Sequence, residues 1–151
     1  MRALPLLLAL AAPAHAEPET RPHAVYLELL GKGGLWGLGY DWQPTPRVAL
    51  GAVASFYQLD GDRFTTLAPY VAVYPLLHGR HRAFVQGGPD VVRRATPSPG
   101  PEWQGMATTA YSGEVSVGYE YRTAVLVRAY AIVGIGERVA PSIGASLGWT
   151  F

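Results

Sequence analysis

Few residues of this chain have the type and spacing that chemistry needs. Beyond the amino-terminal stretch there are three histidines, His23, His78 and His81, and the sequence contains no cysteine. Acyl transfer wants a His beside a Ser, with a carboxylate to orient the imidazole that takes the hydroxyl proton. No His-x-Ser motif occurs. His78 and His81 stand three apart in Leu77-His-Gly-Arg-His81, beside Arg80 and Arg82 rather than a Cys or a carboxylate. A zinc site draws its three or four ligands from those types, so this reads as a solvated basic turn. Gly31-Lys32-Gly33-Gly34 lacks both the spacing and the Ser/Thr of a phosphate loop. The sequence therefore predicts no catalytic residue, no metal ligand and no cofactor.

A different set of charges is better placed. Glu28, Glu114, Glu120 and Arg128 all lie inside stretches that alternate between apolar and polar residues. A period of two means a β-strand whose successive side chains point to opposite faces. The purest case is Ser142 to Phe151, where Ile143, Ala145, Leu147, Trp149 and Phe151 alternate with Ser142, Gly144, Ser146, Gly148 and Thr150. Tyr111, Val115, Val117, Tyr119 and Tyr121 alternate in the same way with Ser112, Glu114, Ser116, Glu120 and Arg122.

Eight strands are predicted along the chain. They run over His23–Leu30, Leu35–Trp42, Arg47–Tyr57, Phe64–Leu76, Arg82–Arg93, Thr108–Arg122, Ala124–Ile135 and Ser142–Phe151. Gly31 to Gly34 makes a tight turn, because glycine accepts positive φ. Pro44 and Pro46 are expected to stop the second strand, and Pro69 and Pro89 to break or bulge the fourth and fifth. The third and fourth strands are nearly all apolar, so their facing is ambiguous. Arg94 to Gly105, rich in proline and without periodicity, is the one long loop.

Arg2, the apolar run to Ala12 and Ala14-His15-Ala16 have the form of a secretory signal, cleaved after Ala16 and too short to span a bilayer. Residues 1–16 are then signal peptide and 17–151 a single domain. The 12 basic and 11 acidic residues become balanced once Arg2 is removed, which gives no support to a nucleic-acid partner. With 18 glycines, 13 prolines and no later run long enough for a spanning helix, the chain is a soluble or a membrane β-barrel.

Alternation alone fits both, since either face can be the inner one. The strand ends favour the membrane. Trp42, Tyr119, Tyr121, Trp149 and Phe151 share the apolar faces at one predicted end, the pattern of an interfacial girdle. An even strand count puts both chain termini at that end, the periplasmic one, and the Pro-rich loop outside. The fold class expected is an all-β, eight-stranded, antiparallel up-and-down transmembrane β-barrel. Arg128 on its lipid face would cost roughly 2–4 kcal/mol at mid-depth. It is therefore expected inside, where Glu28, Glu114 or Glu120 can meet it in a plug of polar side chains.

Several stretches resemble small eight-stranded outer-membrane barrels of Gram-negative bacteria, of OmpA/OmpX-like architecture. Tyr26-Leu-Glu-Leu-Leu-Gly-Lys-Gly-Gly-Leu-Trp-Gly-Leu-Gly-Tyr40 resembles the opening hairpin of one such bacterial group. Tyr74-Pro-Leu-Leu77 with Phe84-Val-Gln-Gly-Gly88 resembles its central hairpin. Gly118-Tyr-Glu-Tyr-Arg122, Val127-Arg-Ala129 and Gly148-Trp-Thr-Phe151 resemble its last three strands. The resemblance implies an outer-membrane location, contact with lipid and lipopolysaccharide, and insertion by the barrel-assembly machinery. That machinery reads an aromatic last residue such as Phe151, with Ser146 standing where glycine is common.

Some such barrels modify lipid A with a His, a Ser and a carboxylate in the outer leaflet, but the three histidines here are expected on the periplasmic side. No enzyme activity is predicted; the expected role is structural or one of surface interaction. Arg93, Arg94 and Trp103 are the candidate outer contacts, the arginines for phosphates of lipopolysaccharide and Trp103 for a partner. The rival reading is a periplasmic lipocalin-like carrier, since Gly34-Leu35-Trp36 resembles the Gly-x-Trp of lipocalins.

Overall fold

The computed structural model describes residues 21–97, 105–136 and 140–151. The proposed signal peptide and Trp103 lie outside the described residues. Eight strands follow in chain order: β1 (His23–Leu29), β2 (Trp36–Thr45), β3 (Val48–Leu59), β4 (Asp62–His78), β5 (His81–Thr96), β6 (Met106–Arg122), β7 (Val125–Ile135) and β8 (Ala140–Thr150). Each pairs antiparallel with the next, and β1 pairs with β8 to close a barrel. Reciprocal backbone hydrogen bonds of 3.0 Å between His23 and Phe151 complete that seam.

One end of the barrel is made of tight turns: residues 46–47, Gly79-Arg80 and Thr123-Ala124. The other end carries the β1–β2 loop, the segment between Thr96 and Met106 and the β7–β8 connection. The β3–β4 turn at this long-loop end is a two-residue hairpin, with Asp60 and Gly61 at φ 51° and 86°. Positive φ at both central residues twists with the strands, which is why Asp-Gly serves here.

Closure decides which face is inside. Tyr26 and Glu28 of β1, Asp41 of β2, Glu120 of β6 and Arg128 of β7 are buried, whereas Leu27, Leu38, Val117, Val127 and Leu147 are exposed. The ambiguous strands are settled by the same closure: Ala49, Val53 and Ser55 of β3 point in, as do Thr66, Ala68, Tyr70, Ala72 and Tyr74 of β4. The interior therefore holds tyrosines, small residues and charges, and the outer wall is apolar.

Several boundary expectations change, with β3 reaching Leu59 and β4 spanning Asp62–His78. β2 runs through Pro44 to Thr45 rather than ending at Trp42, and the ladder absorbs the missing donor as a register irregularity between Trp42 and Thr45. β5 extends to Thr96, into the predicted Arg94–Gly105 loop, and β6 starts at Met106, two residues before its predicted start, because Arg93, Arg94 and Ala95 pair with Thr109, Thr108 and Ala107. β8 begins at Ala140, two residues before the predicted start.

Pro69, expected to break or bulge the fourth strand, shifts no register in β4. Leu67↔Val91 and Val71↔Gly87 keep one register, which sets Pro69 opposite Pro89. Two residues without a donor facing each other leave neither partner with an unanswered N–H. The register shift of β4 lies instead between Val73 and Leu76, around Pro75.

The close approach here depends on Gly88. A Cβ on it would run into the Pro69 carbonyl oxygen and lie 2.9 Å from Tyr70 Cα. Backbone cannot swing aside as a side-chain tip can, so Gly88→Ala is expected to destabilise the barrel by about 1–3 kcal/mol. A urea midpoint equal to that of the native chain would contradict this packing.

Candidate functional site

The lumen is filled around Arg128. Val127 and Ala129 turn outward, so alternation aims Arg128 inward, and Glu120 is its direct cross-strand neighbour on β6. Arg128 Nε donates to Glu120 Oε2 at 2.6 Å, and Nη2 donates to Asp41 Oδ2, which reaches in from β2. An eight-stranded barrel is just wide enough for such side chains to meet across its axis. The Tyr70 and Tyr74 hydroxyls each accept from the guanidinium at 3.2 Å, and Tyr74 donates onward to Glu120 at 2.9 Å. Tyr26 and Tyr70 share a hydroxyl hydrogen bond of 2.7 Å.

Toward the short-turn end, Arg122 Nη1 lies 3.2 Å from Asp41 Oδ1, and Arg82 Nη1 lies 3.8 Å from Glu120 Oε1. Three guanidinium groups thus surround two carboxylates. The rings of Tyr26 and Phe84 stand 5.1 and 5.8 Å from the Arg128 guanidinium carbon and seal it from the sides.

A second polar knot sits toward the long-loop end. The Glu28 carboxylate accepts from Lys32 Nζ at 2.9 Å, from the Gly33 backbone N–H at 3.0 Å, and from the Tyr130 hydroxyl. These bonds fold the β1–β2 loop down into the barrel mouth. Ser55 Oγ donates to the Gly33 carbonyl at 2.6 Å and anchors the loop from the neighbouring strand β3. The Lys32 ammonium lies 4.7 Å from the centres of both the Tyr70 and Tyr130 rings.

Of the four charges expected to form one cluster, the structure brings Glu120 and Arg128 together. Glu28 belongs to the knot with Lys32, and Glu114, at 8 % exposure, lines a cavity with Lys32 rather than joining the Arg128 network. Asp41 and Lys32 are the residues that sequence reasoning missed as partners. The inward facing of Asp41 is legible, since it alternates with Tyr40 and Trp42. Lys32 carries no such signal, because it occupies a glycine-rich turn.

The apolar wall ends in aromatic residues at the short-turn end: Trp42, Tyr119, Trp149 and Phe151 are exposed on it, with Tyr121 half-buried. His23 Nδ1 is 2.7 Å from the Tyr40 hydroxyl and its ring stacks on Phe151 at 5.6 Å between centres. His81 is hydrogen-bonded to Tyr119 and packs on Tyr121. Both histidines are thus tied to the aromatic rim, and no group of three or more potential metal ligands gathers among the described residues.

At the long-loop end, Arg93 is exposed on the outer wall but Arg94 is not its companion there. The Arg94 side chain pairs with Asp62, Nε donating at 2.6 Å, because successive residues of β5 face opposite sides. The arginine on the same outer face is Arg63 of β4, diagonal to Arg93, whose direct partner on β4 is Thr65. A hydrogen bond from Thr96, with the hydrogen bond and charge of Arg94, holds the Asp62 carboxyl below its ordinary range despite partial desolvation.

A depressed carboxyl stabilises the fold where it is ionised in both states. The Asp62 tether is therefore whole at neutral pH, starts to weaken near the ordinary value of about 3.9, and is lost as pH falls through the lower folded value. Amide protection in the Asp60–Gly61 hairpin should fall over that acid window, and should be insensitive to it in Asp62→Asn.

No protein-family model and no curated protein matches the sequence. Solved structures do match in shape. The amino-terminal β-barrel domain of OprF from Pseudomonas aeruginosa superposes with a TM-score of 0.66 at 12 % identity, covering 85 % of this chain and 95 % of that one. Ail, the attachment invasion locus protein of Yersinia pestis, gives a TM-score of 0.52 at 10 % identity, over 85 % of this chain and 91 % of its own. Ail in complex with the heparin analogue sucrose octasulfate gives 0.53 at 10 % identity, over 85 % and 92 %. The fold is that of the small eight-stranded outer-membrane barrels.

Proposed function

We propose that this chain is an integral outer-membrane β-barrel of a Gram-negative bacterium, exported by a cleaved signal peptide, with a plugged lumen and a structural or surface-interaction role rather than an enzymatic one. The inverted polarity of the barrel carries this reading: Glu28, Asp41 and Glu120 are wholly buried while Leu27, Leu38, Val117 and Leu147 are exposed. In water this arrangement would waste the hydrophobic effect and desolvate the charges. In a bilayer the same wall meets lipid. The aromatic rim at the short-turn end supports a periplasmic interface there, with the longer loops outside.

A lipocalin-like carrier needs an apolar cavity, and the Arg128 plug occupies that volume. A lipid-A enzyme needs its His near the outer leaflet, whereas His23, His78 and His81 belong to the short-turn end. Outer-membrane fractionation with a folded-against-boiled gel shift tests the membrane reading; recovery of the chain as a soluble periplasmic protein would end it.

The surface role is assigned to the long-loop end. Arg63 and Arg93, close together on the outer wall, suit phosphate groups of lipopolysaccharide, and insertion would use the barrel-assembly machinery. Arg63→Gln with Arg93→Gln is expected to weaken retention on lipopolysaccharide-coated surfaces by roughly tenfold, the effect of losing two exposed charge contacts of about 0.7 kcal/mol each. Undiminished retention would remove these arginines from the role.

A further inference from the structure

Between the β1–β2 loop and the inner wall of β5 and β6 lies a cavity of about 250 Å³ that the plug does not fill. Asp90, Ser112, Glu114, Thr66, Tyr57 and Lys32 are among its lining residues. Gly88 pairs with Glu114 and Asp90 with Ser112, so the two carboxylates are diagonal neighbours on one face of the ladder. Diagonal positions stand roughly 7–8 Å apart, a span that one ion and its ligands can bridge.

Glu114 is more than nine-tenths buried, and its Oε1 has no hydrogen-bond partner among the described residues. Asp90 Oδ1 is likewise without one. The nearest cation is already engaged: Lys32 is held by Glu28 and by the faces of Tyr70 and Tyr130. Lys32 also lines the cavity, so one ammonium is shared among Glu28, Glu114 and Asp90, and the group keeps a net negative charge at the barrel mouth. Buried charge of one sign is expensive and calls for a counter-charge.

We propose that this vestibule is a binding site for one hard divalent cation, of the calcium or magnesium class, held by Asp90 and Glu114. The donors around the space are oxygens, from two carboxylates and the hydroxyls of Ser112, Thr66 and Tyr57, the ligand type such ions take. At roughly 30 Å³ per water, the volume admits an ion that keeps part of its hydration shell. The proposal goes beyond the membrane reading and stands independently of it, since the cavity is a property of the folded barrel wherever it resides.

The test uses the full mature barrel, folded in uncharged detergent micelles and stripped with chelator, then titrated with terbium while tyrosine is excited. Tyr57 lines the cavity, so a bound ion there should give sensitised emission. The expected result is saturable emission at one equivalent, displaced by calcium, with affinity reduced at least tenfold in both Glu114→Gln and Asp90→Asn and unchanged in Asp62→Asn. Absence of saturable emission in the native chain would overturn the proposal and favour a proton shared by the two carboxylates. Equal affinity in Glu114→Gln, or an equal loss in Asp62→Asn, would overturn it as well. The folded gel mobility of each variant is checked first; if Glu114→Gln fails to fold, Asp90→Asn decides.

Discussion

Arg128→Met lowers the unfolding free energy of the barrel by about 3–5 kcal/mol, the range for removing one partner of a buried ion pair. The effect comes from what is left behind more than from what is lost. Arg128 donates to Glu120 at 2.6 Å and to Asp41, and both carboxylates are wholly buried. Without it, Arg122 and Arg82 still approach them, at 3.2 Å from Asp41 and 3.8 Å from Glu120, so the loss sits inside that range rather than above it. The Tyr70 and Tyr74 hydroxyls also lose a donor.

The discriminating control neutralises the acids at the same time. Arg128→Met combined with Asp41→Asn and Glu120→Gln should recover little of the stability, because Arg122 and Arg82 are then left without the carboxylates that face them. Groups in one network couple, so the triple variant will not equal the sum of its parts. Urea unfolding in detergent or vesicles reads both. An unchanged midpoint for Arg128→Met would show that the plug contributes nothing to the fold.

The second large effect concerns the outer wall. Leu27→Arg is expected to cost about 2–4 kcal/mol in phospholipid vesicles, the range for a cation on the lipid face near mid-depth. Leu27 is exposed and pairs with Leu38 and Leu147, so the substitution puts charge into a row of leucines. Tyr111→Arg, on the same face but toward the long-loop end, should cost only about 0–1 kcal/mol, because depth governs the penalty. A soluble barrel would treat both as surface changes within about 0.5 kcal/mol. Equal, small effects at the two positions would therefore refute the membrane reading without reference to the lumen.

The strands were easy to read where alternation was strict. β6 and β8 fell within two residues of expectation, because a polar and an apolar face on one strand leave little freedom in register. Pro69 misled for a reason outside its own strand. Proline forbids a donor, but it does not forbid a strand whose partner needs none at that position. Pro69 opposite Pro89 is a relation between distant residues, and no local window contains it. Arg94 misled differently. Its neighbour Arg93 shares its charge, yet period two sends them to opposite sides once β5 extends through both.

The sequence by itself determined the class of structure, the alternating charge placement, and the absence of the usual constellations for metal or acyl-transfer chemistry. It also determined that Arg128 and Glu120 share the less oily side of adjacent strands. Which side is in was an expectation drawn from the aromatic strand ends and the cost of Arg128 in lipid, not from alternation. A strand of period two carries no sign, since the same pattern serves a soluble barrel and its inverse. Only closure, with β8 returning to β1, fixed that sign and buried the charges. Closure also chose the partners. Asp41 and Arg128 are 87 positions apart, and Lys32 turns back on Glu28 through a loop whose glycines permit many paths. Ion pairing across a barrel depends on shear and radius, which are properties of the whole ring of strands and are written in no single one of them.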